Sequence, residues 1–171
     1  PVTRYGPFCS MPPVATITVS VPARIRSRIS IQVRSSTKTE STASIGRGDI
    51  EIMNRIGFEA SAIGNHEFDL GTRELRNLFQ PAGAWQGGQF PYLSSNIDFA
   101  NEADLSNRLS SGGLEASTIK GRIAPSAIIT ENGEKIGLVG LTTPEILTIS
   151  SPGPNVIVTP GSGTYDLPAL A

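Results

Sequence analysis

Apolar residues are spaced differently in two parts of this chain, and the change falls near residue 48. In the first part, residues 17–21 alternate Ile or Val with Thr and Ser, and a second alternating run over residues 25–34 follows Pro22. Two such runs separated by a proline predict a β-hairpin with one cationic face. The pattern also fits a solvated strand face or a segment without stable structure, and we favour this plainer interpretation. Residues 35–48, which are rich in Ser and Thr, are typical of a linker.

From residue 49 onward, the spacing of apolar residues predicts helices that alternate with short strands. The first helix starts with Asp49 as its cap and ends at Gly57, with apolar residues on one face. The second opens at Thr72 and also places its apolar residues on one side. Pro144 can begin one more helical turn, and residues 165–171 predict a further helix.

Short apolar runs between these helices predict strands. The predicted strands are residues 58–63, 90–93, 123–130, 135–141 and 156–158. Asn132-Gly133 lies between the third and fourth strands and is a strong signal for a two-residue hairpin turn. Residues 97–118 are polar and contain a Gly-Gly pair, so they predict an excursion loop. This order of elements predicts an α/β fold whose sheet has mixed strand directions.

Charge divides the chain at the same place. The 171 residues carry 14 Lys+Arg and 15 Asp+Glu, but residues 1–48 hold seven of the bases and one acid. We therefore predict a basic Ser/Thr-rich arm over residues 1–47, unrelated to a partial domain over residues 48–171. The whole chain has a formal net charge of −1, which does not favour nucleic acid as its partner. No apolar run of about 18 residues predicts a membrane span, and the single cysteine excludes a disulfide framework.

Residues 64–69 carry the candidate chemistry, directly after the predicted strand over residues 58–63. They read Gly-Asn-His-Glu-Phe-Asp, and α/β proteins bind ligands at the carboxyl ends of strands. Asn65 offers a neutral carbonyl oxygen that can ligate a divalent metal. His66, the only histidine, can give or take a proton near neutral pH. Asp69 can hold that imidazole in one tautomer.

This motif resembles the signature of the calcineurin-like metallophosphatases, in the branch of the bacterial 5′-nucleotidases and 2′,3′-cyclic phosphodiesterases. Residues 54–58, 90–96 and 136–145 resemble the same family, and the resemblance covers about residues 46–171. It implies a β-sandwich flanked by helices, of which this chain carries a part. It also implies two divalent metal ions (Mn, Zn, Co, Ca or Fe) and hydrolysis of nucleotide phosphate esters.

The resemblance assigns roles to individual residues. Asn65 matches the asparagine that ligates a metal. His66 matches the histidine that stabilises the transition state or protonates the leaving group, and Asp69 matches the acid of that catalytic dyad. Glu67 has no ligand role in the family and is expected to support the loop.

The chain departs from the family pattern in its metal ligands. The family has an Asp-x-His pair and a Gly-Asp before the signature and further histidines after it. Here His66 is the only histidine, and Gly48-Asp49 lies too close to Asn65 to be that Gly-Asp. Two metal ions need several ligands each, including a bridging carboxylate. We therefore expect this chain to bind metal weakly at most and to be inactive as it stands.

Three explanations for the missing ligands stay open. The chain is a fragment whose N-terminal part comes from a wrong reading frame or gene model, or a degenerate relative that has lost catalysis. Alternatively it is a fusion, in which the basic arm contacts nucleic acid or another acidic partner. We favour the first, because it explains the charge break and the missing motifs together.

The resemblance also implies partners and a compartment. The expected substrate is a nucleotide or another phosphate ester. Uncovered sheet edges in a partial sandwich predict self-association. Relatives in this branch are mostly exported, which favours the periplasm or the cell exterior.

Overall fold

The computed structural model describes the backbone of residues 16–20 and all atoms of residues 46–159. The second run of the predicted hairpin, most of the predicted linker and the predicted helix over residues 165–171 lie outside the described residues. So does most of the predicted basic arm.

The described part contains helices where the apolar spacing predicts them. They are α1 (Arg47–Ile56), α2 (Gly71–Phe79) and the short α3 (Ile146–Ile149). Helix α1 ends as predicted at Gly57, whose φ of 79° is the left-handed conformation that glycine adopts without strain. The prediction that Asp49 caps α1 is wrong, because the N-cap is Gly46. Asp49 lies instead in the first turn, where its charge interacts favourably with the helix dipole.

Nine strands in the described residues form small sheets of mixed direction. In chain order they are β1 (Thr16–Ser20), β2 (Ser61–Ala62), β3 (Tyr92–Leu93), β4 (Ile97–Asp98), β5 (Leu114–Glu115), β6 (Ile123–Ala124), β7 (Ser126–Glu131), β8 (Glu134–Leu141) and β9 (Ile157–Val158). Strands β2, β3 and β6 form a parallel sheet in that order. A second sheet has the order β1-β8-β7-β5, and β4 pairs antiparallel with β9. This architecture confirms the predicted α/β class.

The hairpin between β7 and β8 also forms as predicted. Asn132 and Gly133 both have positive φ, 52° and 83°, as a type I′ turn requires. The single strand predicted over residues 123–130 is instead two strands in different sheets, separated by Pro125, which has no N–H to donate to a ladder. The predicted excursion loop over residues 97–118 contains β4, β5 and two short 3₁₀ turns. Two-residue strands are too short to show a periodic pattern.

Strand β1 comes from the segment predicted to be an arm. It pairs antiparallel with β8 in the register Thr16↔Leu141 to Ser20↔Gly137, at one edge of the four-stranded sheet. Helix α1 begins at Arg47, one residue before the predicted start of the domain. The division of the chain near residue 48 stays a prediction.

The buried residues form two clusters, one beside the parallel sheet and one between the sheets. In the first, Tyr92 stacks on Phe79 with ring centroids 4.0 Å apart and lies 5.1 Å from Phe90. In the second, Leu93 of β3 packs with residues of β7 and β8. Gly140 makes this contact possible, because a Cβ at this position would lie 2.3 Å from the Leu93 carbonyl oxygen. The two sheets therefore approach backbone to backbone at residue 140.

Replacing Gly140 with alanine tests this close approach. We expect Gly140→Ala to lower the free energy of unfolding by about 1–3 kcal/mol. The added methyl group would clash with the Leu93 backbone, and relieving the clash requires the two strands to move apart. Gly137→Ala on the same strand is the matched control, since nothing lies within 4 Å of a Cβ there. It is expected to be neutral or stabilising by about 0.5–1 kcal/mol. Denaturant unfolding measures both, and equal effects would contradict the close approach.

Candidate active site

The loop that carries the candidate residues begins where the parallel sheet ends. The Ile63 N–H, directly after β2, donates to the Leu93 carbonyl at 3.0 Å. After Gly64 and Asn65 the chain makes one 3₁₀ turn, His66–Phe68. Phe68 is completely buried and stacks on Phe99 with centroids 6.0 Å apart. The buried ring anchors the turn and leaves the polar side chains around it at the surface.

His66 and Asp69 form a hydrogen-bonded pair at the surface of this turn. His66 Nδ1 lies 2.8 Å from Asp69 Oδ2, and their side chains are 29% and 32% exposed. A carboxylate oxygen can only accept, so the proton of this bond sits on Nδ1. The remaining ring nitrogen, Nε2, is then the one that can exchange a proton with a bound molecule. The structure thus brings together the two residues predicted to be catalytic.

The Glu67 side chain is hydrogen-bonded to the backbone of its own loop. The Gly64 N–H donates to Glu67 Oε2 at 2.8 Å. Burial raises the pKa of Glu67, and hydrogen bonds from the backbone N–H groups of Glu67 and Gly64 partly oppose that rise. This contact agrees with the expected supporting role, since the carboxyl closes the turn that presents Asn65 and His66.

Asn65 directly precedes His66 in the chain, and among the described residues no hydrogen bond joins its side chain to the His66–Asp69 pair. Its side chain is partly exposed, and its backbone carbonyl accepts from the Phe68 N–H at 3.1 Å. The side-chain oxygen is of the kind that ligates hard divalent cations. Asn65 is therefore the one predicted metal ligand in the loop.

The donors in the described residues do not fit a two-metal site. No group of three or more His, Cys, Asp or Glu side chains among them could hold a metal ion. In the loop itself, Asp69 is bonded through both oxygens, to His66 and to Ser150, and Glu67 is bonded to the loop backbone. Two metals sharing a carboxylate need more donors than Asn65 can add.

Two residues around this loop were missed by the sequence reasoning. Thr142, directly after β8, donates its hydroxyl proton to the Ile63 carbonyl at 2.8 Å. Ser150, directly after α3, donates to Asp69 Oδ1 at 3.1 Å. Thr142 could have been suspected from its place at a strand end. Ser150 lies 81 residues from its partner, and no local pattern signals such a contact.

Replacing Glu67 with glutamine keeps an oxygen for the Gly64 N–H but removes the titration. Because the pKa of Glu67 is raised in the folded state, its contribution to stability is present at low pH and is lost as the pH rises through the folded-state pKa. We therefore expect wild-type stability, measured relative to Glu67→Gln, to fall between about pH 4 and pH 7. Denaturant unfolding at both pH values measures this difference. A wild type that gains on the variant as the pH rises would contradict it.

The chain is similar in sequence to several 5′-nucleotidases and to a nucleotide phosphoesterase. No protein-family model matches it. It is 39% identical over 109 residues to a snake venom 5′-nucleotidase of Gloydius brevicauda, covering 64% of this chain and 16% of the relative. It is 35% identical over 117 residues to a probable 5′-nucleotidase of Treponema pallidum, covering 68% and 16%. It is 32% identical over 123 residues to the trifunctional nucleotide phosphoesterase YfkN of Bacillus subtilis, covering 66% and 8%.

A solved structure agrees with these relatives. The 5′-nucleotidase precursor of Thermus thermophilus superposes with a TM-score of 0.52 at 36% identity, covering 66% of this chain and 18% of that chain. The chain therefore spans less than a fifth of the length of each of these proteins. Sequence and fold agree with the resemblance of residues 64–69, and the chain belongs to the 5′-nucleotidase branch of the calcineurin-like metallophosphatase superfamily.

Proposed function

We propose that this chain carries part of the catalytic domain of a phosphoesterase that hydrolyses nucleotide phosphate esters. The observation that supports it most strongly is the hydrogen-bonded His66–Asp69 pair, at 2.8 Å, on a surface loop at the end of a parallel strand. The names of the relatives, nucleotidases and a nucleotide phosphoesterase, support the substrate class.

In this proposal His66 acts on the leaving group. Breaking the P–O bond of a phosphate ester puts negative charge on the departing oxygen, which then takes up a proton. An imidazolium that holds Nδ1–H against Asp69 presents Nε2–H outward, where it can supply that proton or stabilise that charge. Asp69 keeps the ring in one orientation and stabilises its charged form. Asn65 would hold a metal ion through its side-chain oxygen.

We also propose that the chain is inactive alone, because its described residues lack the donors for two metals. We expect isothermal calorimetry with Mn²⁺ to show no micromolar binding of two ions. No phosphate should be released from AMP or from a chromogenic phosphate ester. Two tightly bound ions per chain, or turnover that Mn²⁺ stimulates, would contradict this.

The proposal extends to the compartment and to the other partners. Relatives from snake venom support an exported protein. No helix in the described residues is long and apolar enough to cross a bilayer. The alternative role, a basic arm that contacts nucleic acid, concerns residues outside the described part and stays a prediction, as does self-association.

A chimera tests the proposed roles in a complete domain. Residues 46–159 replace the homologous segment of the Thermus thermophilus 5′-nucleotidase, and nucleotide hydrolysis and bound metal are measured. We expect His66→Ala to lower kcat by about 10²–10⁴-fold with metal content unchanged, and Asp69→Ala to lower it less. Asn65→Ala should lower metal content and be partly rescued by added metal.

The exposed Arg122→Ala serves as the control for these substitutions and is expected to keep full activity. If His66→Ala folds, holds its metals and stays fully active, His66 has no part in the reaction. If all three substitutions merely lower the melting temperature alike, the residues only brace the loop.

A further inference from the structure

One segment of the chain, residues 142–150, contacts the candidate loop at both of its ends. It begins at Thr142, directly after β8, and ends at Ser150, directly after α3. Thr142 bonds to Ile63, just before the loop, and Ser150 bonds to Asp69 at the end of its 3₁₀ turn. Between these ends, Ile146 of α3 is completely buried in the core. The segment is therefore held in the core while it bonds to the residue before the loop and to the last residue of the loop.

At its Thr142 end the segment belongs to a buried network of hydrogen bonds. Thr142 is fully buried, and Ser94 and Asn96 are each 4% exposed. The Thr142 hydroxyl gives its single proton to the Ile63 carbonyl, so in the 2.9 Å contact between Ser94 Oγ and Thr142 Oγ1 the serine is the donor. Asn96 bonds both backbone groups of Thr142: its Nδ2 donates to the carbonyl at 2.8 Å and its Oδ1 accepts from the N–H at 2.9 Å.

This network fixes the strand end from which the loop departs. Ile63 donates its N–H to Leu93 on one side and accepts from Thr142 through its carbonyl. Both backbone polar groups of the residue before Gly64 are thus satisfied inside the protein. A buried polar network with all its members paired is rigid, because any displacement leaves a group without a partner.

At its Ser150 end the segment is hydrogen-bonded to the Asp69 carboxylate. Asp69 Oδ2 accepts from His66, and Asp69 Oδ1 accepts from the Ser150 hydroxyl at 3.1 Å. With a donor on each oxygen, the plane of the carboxylate is defined. Without Ser150, an aspartate that is about one-third exposed could rotate and exchange its histidine partner for water.

We propose that Thr142 and Ser150 are positioning residues for the His66–Asp69 pair, Thr142 through Ile63 and Ser150 through Asp69. The importance of this positioning rests on the proposed function, since a catalytic pair must be held within a fraction of an ångström by the groups around it. Neither side chain is hydrogen-bonded to His66 in the structure, and both act through another residue.

The single histidine makes the test direct, because every imidazole signal of the chain belongs to His66. Long-range ¹H–¹⁵N spectra, recorded on the 171-residue chain at a pH where the ring is neutral, report which nitrogen carries the proton. In the wild type we expect the proton on Nδ1. In Ser150→Ala it should be shared with Nε2, so that the two ¹⁵N shifts approach each other. Ser150→Thr keeps the hydroxyl and should restore the wild-type spectrum.

Ser126→Ala is the matched control for Ser150→Ala, because it also removes a hydrogen-bonded, half-buried serine hydroxyl, here on β7. It should leave the imidazole spectrum unchanged. A Ser150→Ala spectrum that superposes on that of the wild type would overturn the role of Ser150. So would a Ser126→Ala spectrum that changes as much as that of Ser150→Ala.

Thr142→Val tests the other end, since it removes the hydroxyl and keeps the shape of the side chain. Its control is Thr72→Val, which removes another buried hydroxyl, bonded to Glu102 at 3.1 Å. We expect Thr142→Val to reduce the Nδ1 preference and Thr72→Val to leave it unchanged. If both lower the melting temperature and neither changes the spectrum, Thr142 is only structural. If Thr142→Val does not fold, the Ser150 variants decide the proposal.

These spectra need no turnover, so their outcome is separate from that of the proposed function. A shifted tautomer in Ser150→Ala together with an inactive chimera would support the positioning and refute the phosphoesterase role. An active chimera together with unchanged spectra would support the phosphoesterase role and refute the positioning by Ser150.

Discussion

The hydrogen bond from the Thr142 hydroxyl to the Ile63 carbonyl joins the ends of two sheets, and the candidate site depends on it. Strand β8 belongs to the mixed four-stranded sheet, whereas Ile63 continues β2 of the parallel sheet. The two ends meet because Gly140 has no side chain to keep β8 away from Leu93. A buried hydroxyl bond costs more to break than it contributes net, since the freed carbonyl would have no water to bind. The start of the loop is therefore held through both backbone polar groups of Ile63.

Beyond this fixed start, the loop places the polar side chains of His66 and Asp69 at the surface while other residues hold its backbone in place. Phe68 anchors the turn in the core, and the Glu67 carboxyl closes it onto the Gly64 N–H. His66 and Asp69 are then held at 2.8 Å, close to solvent and partly shielded from it. What the described residues lack is a donor set for two metals. Under the proposed function, the described residues supply an ordered leaving-group pair, His66 and Asp69, and Asn65 as the one proposed metal ligand.

Patterns among neighbouring residues predicted much of this fold, but they did not predict the contacts between residues that are far apart in the sequence. The three helices of the described residues, the Asn132-Gly133 turn and the site loop each depend on neighbours within a few residues, and they lie close to where the sequence pattern places them. The split of one predicted strand at Pro125 depends on which sheet each half joins, which periodicity does not report. The Ser94–Thr142 contact spans 48 residues and the Asp69–Ser150 contact 81. The supports of the site therefore became visible only in the folded chain.

The strand ends that lead into the site form a closed, buried network of hydrogen bonds. Hydrogen exchange of the Thr142 amide tests it most directly, because this N–H donates to the Asn96 side chain and, within the described part of the chain, to no backbone carbonyl. If the network is closed, the amide exchanges as slowly as that of Ile136 in the β7–β8 ladder, with both opening only through large-scale unfolding. If it exchanges as fast as amides in exposed loops, the network opens on its own, and the account of a preformed site is wrong.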